Sequence, residues 1–166
     1  MNGRRFHGVT MNFANAGIAA GSTTTLTSGA ATAGIIGGKF VVPVAAAANI
    51  AALSALDANT GLAFRPILPN QASVFIIGQP AAGGVASFRV AQGSIVPTEA
   101  GVTTTPGAFI NAPQFPELPD DFLPLAYCLV SVPPSTPSFT WGVQAFTTVT
   151  TKFVNIGAVP DRPQIV

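Results

Sequence analysis

The chain has 166 residues, of which 48% are hydrophobic and only 8% are charged, and its formal net charge is +1. The high apolar content excludes a chain that is disordered throughout, and the scattered Lys and Arg exclude a basic face for nucleic acid or an anionic membrane. A single cysteine excludes an internal disulfide and a cysteine-based zinc site within one chain.

Residues 1–38 are predicted to be an extended arm. Between Arg5 and Lys39 the segment carries no formal charge apart from His7, and it is rich in Gly, Ala, Thr and Ser. Its large apolar residues are too sparse to build a core, so we expect it to be ordered by contact with neighbours. No continuous apolar stretch follows Arg4 and Arg5, so we expect a soluble, cytoplasmically made protein without a secretory signal.

Residues 39–157 are predicted to be a folded β domain. The Ala and Leu content of residues 49–57 favours a short helix, and Gln92-Gly93 suits a bulge after a hairpin turn at 79–84. The remaining apolar runs are rich in β-branched and aromatic residues, which predicts strands at 39–46, 62–68, 73–77, 85–91, 123–132, 139–150 and 152–156. A break at Gly142 within 139–150 is an alternative to one continuous strand there.

Prolines separate these elements and shape the end of the chain. Five prolines make residues 97–121 a long loop, and two more frame an extended tail at residues 158–166. Many short strands with Gly/Pro turns indicate an all-β fold. We therefore predict a single antiparallel β-sandwich or barrel-like domain with an extended N-terminal arm and a short C-terminal tail.

The stretch FPELPDDF at 115–122 contains Glu117, Asp120 and Asp121, half of the six acidic residues. Paired carboxylates serve as acid/base pairs in glycosidases and as Ca²⁺ ligands. Adjacent residues on an extended backbone point apart, however, and the EF-hand spacing is absent. Glu117 with Asp121, or Asp57 with Asp120, remain alternatives that would have to meet across a groove. The favoured interpretation is a solvated turn ahead of a buried strand.

The other candidates for chemistry are single residues. His7 is the only histidine, so a Ser or Cys nucleophile would depend on this one imidazole in the arm. Cys128 lies in an apolar run and is predicted to be a small buried hydrophobe. Tyr127 and Trp141 are predicted to pack in the core with their OH and NH groups hydrogen-bonded, not to form a carbohydrate platform. The sequence therefore predicts no catalytic residue, no cofactor site and no metal site.

An ordered set of motifs covers roughly residues 67–164 and resembles the small Gly/Ala/Thr-rich β structural proteins of tailed bacteriophage virions. The Leu-Pro-x-Asn-Gln-like turn, the Pro-rich loop before a strand and the Pro-Asp-Arg-Pro-Gln ending carry the resemblance. The motifs are ILPNQASVFIIG (67–78), RVAQGSIV (89–96), FPELPDDFLPLAYCLV (115–130), FTWGVQAF (139–146) and FVNIGAVPDRPQ (153–164).

This resemblance implies a virion component, most like a capsid decoration (cement) protein. The implied partners are the major capsid protein and copies of the chain itself, with a trimer favoured, and neither nucleic acid nor a membrane. The low charge agrees with a surface hidden in an assembly, because a typical domain is roughly a quarter charged. A tail, neck or fibre subunit, with or without receptor binding, is the main alternative, and a hydrolase of surface polysaccharide is a third.

Overall fold

The computed structural model describes residues 10–50, 55–83 and 88–156. Their regular structure is β, apart from one 3-10 turn at Phe146–Thr148, so the predicted all-β class is confirmed. No helix in these ranges is long and apolar enough to cross a membrane. The strands are β1 (Met11–Asn12), β2 (Ile18–Ala20), β3 (Leu26–Ser28), β4 (Gly34–Ile36), β5 (Lys39–Phe40), β6 (Ala47–Ile50), β7 (Gln71–Gln79), β8 (Arg89–Pro97), β9 (Leu123–Val132) and β10 (Thr150–Asn155).

The strands form three antiparallel sheets in the described part of the chain. The largest has four strands in the order β10-β9-β7-β8, and the two smaller ones have the orders β1-β4-β5 and β2-β3-β6. The smaller sheets contribute to the core that lies on one face of the large sheet, as in a sandwich, and the sheets do not close into a barrel there.

Strand β9 occupies the predicted bounds, Leu123–Val132, and all ten of its residues are buried. The reason is that both faces of the large sheet are covered. One face packs with the smaller sheets in the main core, which includes Phe75 and Val130. The other face packs under the long loop, where Phe115 and Leu118 cover Tyr127. Covering by small sheets on one face and a loop on the other, instead of by helices, explains why an antiparallel strand has the continuous apolar pattern of a doubly buried one.

Two irregularities follow from the sequence. The predicted bulge at Gln92-Gly93 is confirmed, because the β7–β8 register shifts between Ser73 and Phe75 opposite these residues. A second register shift lies in the β7–β9 pairing. Ile77 is opposite Ala126, but the next residue, Gly78, is opposite Pro124. Proline lacks a backbone N–H and is tolerated in strands at bulges. Moreover, β10 pairs only with Ala126–Ser131, so Pro124 has no ladder partner on that side.

The structure differs from the predicted arm at 1–38. Residues 1–9 lie outside the described part, but Ala16, Ile18 and Leu26 belong to the main core. The proposed boundary at residue 38 falls in the turn between β4 and β5, which pair with each other. Sparse apolar residues do not build a core alone, but the four short strands β1 to β4, with a few large side chains, supplement the core of the rest of the chain.

The helix predicted over 49–57 is wrong for the residues of this range that the structure describes, 49–50 and 55–57. Residues Ala47–Ile50 form β6 and pair with β3, and Ile50 is fully buried in the main core. Residues 51–54 lie outside the described part. Helix preference is worth only tenths of a kcal/mol per residue, so strand pairing and the burial of one isoleucine override it.

A continuous strand over 139–150 is also absent, whereas the alternative of a break at Gly142 is confirmed. Phe139 makes one isolated bridge to Ile67. The chain then turns, with Gly142 at φ +78°, and continues into the 3-10 turn. Trp141 and Phe146 both enter the main core, and a turn brings two side chains five positions apart to one place, whereas a strand would point them to opposite faces.

Other predicted elements are shortened or extended. Residues 39–46 keep only β5, followed by irregular chain around Pro43, and residues 62–68 keep only single bridges at Ala63 and Ile67. The strands predicted at 73–77 and 152–156 are present as β7 and β10. Of the predicted strand 85–91, the structure describes only its second half, in β8, and the predicted tail at 158–166 lies outside the described residues.

A reciprocal side-chain contact fastens the N-terminal strands to the large sheet. Asn155 Oδ1 accepts a hydrogen bond of 2.7 Å from the backbone N–H of Ile18, and Asn155 Nδ2 donates one of 3.2 Å to the Ile18 carbonyl. Ile18 is 1% exposed. Strand β2 pairs with β3, and one amide side chain of β10 satisfies the backbone N–H and carbonyl of this buried residue of β2.

Replacing Asn155 with alanine is expected to lower the free energy of unfolding by about 1–3 kcal/mol, because it leaves a buried donor and acceptor unpaired. Urea denaturation measures the loss, and hydrogen exchange should accelerate first at the Ile18 N–H. Asn15→Ala is the matched control, since Asn15 Oδ1 accepts only a local bond from the Gly17 N–H at an exposed site. Equal losses for the two variants would contradict the fastening role.

Candidate functional site

The three carboxylates of 115–122 are exposed, and one of them organises the chain. Asp121 Oδ1 accepts a hydrogen bond of 2.8 Å from the backbone N–H of Ala81, in the turn after β7. Glu117 and Asp120 are also exposed. Asp121 therefore fastens the loop before β9 to the end of β7. This contact agrees with the interpretation of the stretch as a solvated turn ahead of a buried strand.

Asp57 lies in a groove of about 440 Å³ that Asp120 does not line, so the structure does not bring these two carboxylates together there. Asp57 is 7% exposed, and its Oδ1 accepts a hydrogen bond of 2.8 Å from the Asn59 N–H, which is a local turn contact. Among residues 10–50, 55–83 and 88–156, no three His, Cys, Asp or Glu side chains form a group that could hold a metal ion.

The other polar groups of this groove hold a loop in place. The Arg65 N–H donates to Gln92 Oε1 at 2.8 Å, and Gln92 Nε2 donates to the Arg65 carbonyl at 3.0 Å. Arg65 Nη2 donates to the Gly93 carbonyl at 3.2 Å. These contacts tie the segment after Asp57 to the bulge in β8, and they engage the side chains that a polar ligand would otherwise meet.

Cys128 is fully buried in the main core, as predicted. It pairs with Phe75 of β7 on one side and with Phe153 of β10 on the other. Burial raises the pKa of the Cys128 thiol well above its usual value, and the backbone hydrogen bond from Lys152 offsets only part of that effect. The thiol therefore stays protonated, and a buried, protonated thiol is a poor nucleophile. His7 lies outside the described residues.

Trp141 and Tyr127 are buried, so the predicted core role is confirmed and neither forms a carbohydrate platform. The Trp141 ring lies 4.6 Å from that of Phe75 and 5.1 Å from that of Phe146, measured between centroids. One part of the prediction is wrong, since Trp141 Nε1 is buried without a hydrogen-bond partner. Packing of the ring outweighs the cost of that unpaired donor.

The sheet β1-β4-β5 has an exposed apolar face. Met11 pairs with Ile35, and Ile35 pairs with Phe40, so these three side chains share one face. Phe13 lies two residues after Met11, and its ring contacts that of Phe40 at 6.3 Å. Val42 follows Phe40 at the same spacing. We call these five residues, Met11, Phe13, Ile35, Phe40 and Val42, the outward face.

The side chains of the outward face are unusually open to solvent. Phe40 is 83% exposed, Phe13 and Val42 are each 54% exposed, and Met11 is 45% exposed. Single exposed apolar residues are ordinary, but a contiguous group that includes two phenylalanines marks an interaction site.

The opposite face of this sheet explains why the outward face points to solvent. Asn12, Gly34 and Val41 are buried there. A Cβ at Gly34 would lie 2.6 Å from Leu123 Cδ2, so only glycine lets the strand approach β9 this closely. Asn12 Nδ2 donates to the Ile156 carbonyl at 3.0 Å. The sheet therefore buries the polar residue of β1, Asn12, and exposes the apolar residues on either side of it, Met11 and Phe13.

The sequence did not predict the outward face, because the burial of Met11-Asn12-Phe13 is the reverse of what its apolar–polar alternation indicates. An apolar–polar–apolar triplet normally predicts that the apolar residues point inward. The useful signal was Gly34 on the other face, because a glycine there permits close packing against β9.

The described side chains thus offer an apolar surface for contact and no cluster of reactive groups. Comparison with protein-family models, with curated proteins and with solved structures finds no match for the chain.

Proposed function

We propose that this chain is a non-enzymatic structural protein of a bacteriophage virion, a decoration (cement) protein that binds the major capsid protein and stabilises the head. The outward face is the observation that carries the proposal. The motifs between residues 67 and 164 supply the resemblance to virion proteins, and the face supplies a surface suited to assembly.

The physical argument is the burial of apolar area. Fully burying one large apolar side chain is worth about 1.5–3 kcal/mol, and the outward face holds several that water now surrounds. A chain with 8% charged residues gains little solubility from its remaining surface. A homo-oligomer, with a trimer favoured, would present several such faces at once, so modest contacts would combine into firm binding.

Antibody labelling of intact particles tests the location. We expect gold-labelled antibody against the chain to mark heads in electron micrographs, in a copy number comparable with that of the major capsid protein. Label confined to tails, necks or fibres would overturn the head assignment and support the alternative structural role. Cleavage of a host surface polysaccharide by the purified chain would overturn the non-enzymatic assignment.

A deletion of residues 1–38, the obvious test of an arm, would not be informative. It would remove Ala16, Ile18 and Leu26 from the main core and would unfold the sheets that they support. Loss of binding would then report loss of structure. Point variants of exposed residues avoid this problem, because they leave the core intact.

A further inference from the structure

We infer that the groove beside Asp57 is a binding site for a neutral saccharide. Two loops, at residues 57–65 and 114–116, line the groove together with the bulge of β8 at residues 92–94. Its volume of about 440 Å³ lies in the range of small-molecule sites, about 300–1,000 Å³. The groove shares no residue with the outward face, so saccharide binding is a property separate from the proposed binding to heads.

Both walls of the groove are fastened to β8 before any ligand binds. On one side, the Gln92 side chain pairs with the backbone N–H and carbonyl of Arg65. On the other side, Ser94 Oγ accepts a hydrogen bond of 2.7 Å from the Gln114 N–H, and the Ser94 N–H donates one of 3.0 Å to the Gln114 carbonyl. A preformed site spends little free energy on ordering its walls, so a small ligand with few contacts can still bind.

Asp57 gives the groove a buried carboxylate whose hydrogen bonding is incomplete. It is 7% exposed, and its Oδ1 accepts the bond from the Asn59 N–H. Its Oδ2 has no partner within the described ranges. In that part of the chain, only Gln79 Oε1 and Trp141 Nε1 are sealed from solvent without a partner, so Asp57 Oδ2 is open to the groove that it lines. A ligand hydroxyl that donates to this oxygen would complete its hydrogen bonding.

Three exposed side chains complete the polar lining. Arg65 commits one N–H to the Gly93 carbonyl and keeps the rest of its fork of donors. The side-chain amides of Asn59 and Gln114 make no hydrogen bond in the part of the chain that the structure describes. Asp57 accepts, Arg65 donates, and each amide does both. These groups therefore match a ligand whose polar atoms both donate and accept, as hydroxyls do.

Charge and shape favour a saccharide over other small polar ligands. The two charged side chains that line the groove, Asp57 and Arg65, have opposite signs, so the groove has no net attraction for an anion or a cation. Phe115 and Pro116 add an apolar wall, against which the C–H groups of a sugar ring can pack. The Phe115 ring is held edge-on against that of Tyr127, with 5.3 Å between centroids. A zwitterion such as an amino acid would use the two charges and leave the amides and the apolar wall without a partner.

The test is a titration of the full chain, followed by the NMR shifts of its backbone amides. The probes are glucose, galactose, mannose, N-acetylglucosamine, maltose, cellobiose and lactose, with glycine and glycylglycine as zwitterions. We expect at least one saccharide to shift the amides of Asn59, Arg65, Ser94 and Phe115 saturably, and neither zwitterion to do so.

Asp57→Asn is the decisive variant, because it keeps an Oδ1 that can accept the bond from the Asn59 N–H and replaces Oδ2 with a donor. We expect it to weaken saccharide binding about tenfold or more, as loss of a hydrogen bond to a charged group does. Asp120→Asn is the matched control, since Asp120 is exposed and does not line the groove, and it should bind like the wild type. Thermal unfolding establishes that the variants are folded. Gln114→Ala, at an exposed position whose backbone bonds remain, serves if Asp57→Asn is not.

The outcomes are distinct. Saturable shifts at the groove that Asp57→Asn weakens and Asp120→Asn does not would support the site. No shift with any saccharide, shifts confined to residues outside the groove, or equal affinity of Asp57→Asn and the wild type would overturn it. Shifts with the zwitterions alone would overturn the choice of a saccharide. Failure of the antibody to label heads would count against the proposed function and would leave the saccharide result unaffected.

Discussion

Replacing Trp141 with alanine is expected to lower the free energy of unfolding by about 3–5 kcal/mol, the range for removing a large aromatic side chain from a core. Trp141 is 1% exposed and is among the largest fully buried side chains of the described chain. Its ring packs against Phe75 of β7 and Phe146 of the 3-10 turn. The variant therefore loses contacts between the large sheet and the segment that covers it.

Trp141→Phe is the control that separates ring packing from the indole N–H. Phenylalanine keeps most of the aromatic contact and removes a buried donor that has no partner. It should therefore lower the free energy of unfolding clearly less than alanine does. Chemical denaturation followed by circular dichroism measures both variants, since the chain loses its single tryptophan. A loss below about 1 kcal/mol for alanine, or equal losses for the two, would contradict this account.

The sequence predicted best where one pattern determined the structure. The run from Leu123 to Val132 has the length, the nearly continuous apolar content and the flanking prolines of a buried strand, and the structure has that strand with the same ends. The bulge at Gln92-Gly93 was equally predictable, because glycine in a strand weakens regular pairing. In both cases local chemistry and tertiary packing favour the same conformation.

Prediction from the sequence failed where residues far away in the chain determine the local conformation. Residues 47–50 have the composition of a helix, but β3 provides a strand partner for them. The run 139–150 has the composition of a strand, but Trp141 and Phe146 reach the same core only through a turn. No local pattern reports a partner that lies many residues away in the chain.

The candidate surface was the least predictable feature, because it reverses the usual rule of burial. Asn12 is inside, where it meets the Ile156 carbonyl, and Phe13 is outside. By contrast, the exposed position of Asp121 followed from its proline-rich, acidic setting. The sequence thus indicates where the chain turns more reliably than which face of a short strand meets the core.

Gly78→Ala is expected to lower the free energy of unfolding by about 2–3 kcal/mol, at the upper end of what overpacking usually costs. A Cβ at Gly78 would lie 2.5 Å from the Leu123 carbonyl oxygen and would overlap the ring of Phe122, which is 2% exposed. The carbonyl belongs to the central strand of the large sheet and cannot move without disturbing the register. The preceding residue, Asp121, is fastened to the backbone N–H of Ala81 by a hydrogen bond, so Phe122 has little room to withdraw.

Gly29→Ala makes the same chemical change where a Cβ would meet nothing closer than 3.8 Å. We expect it to leave stability unchanged or to raise it by about 0.4–1 kcal/mol, because alanine restricts the unfolded chain. Guanidinium denaturation of both variants measures the difference. If Gly78→Ala were as stable as Gly29→Ala, the close approach of Phe122 to β7 would not be present in solution.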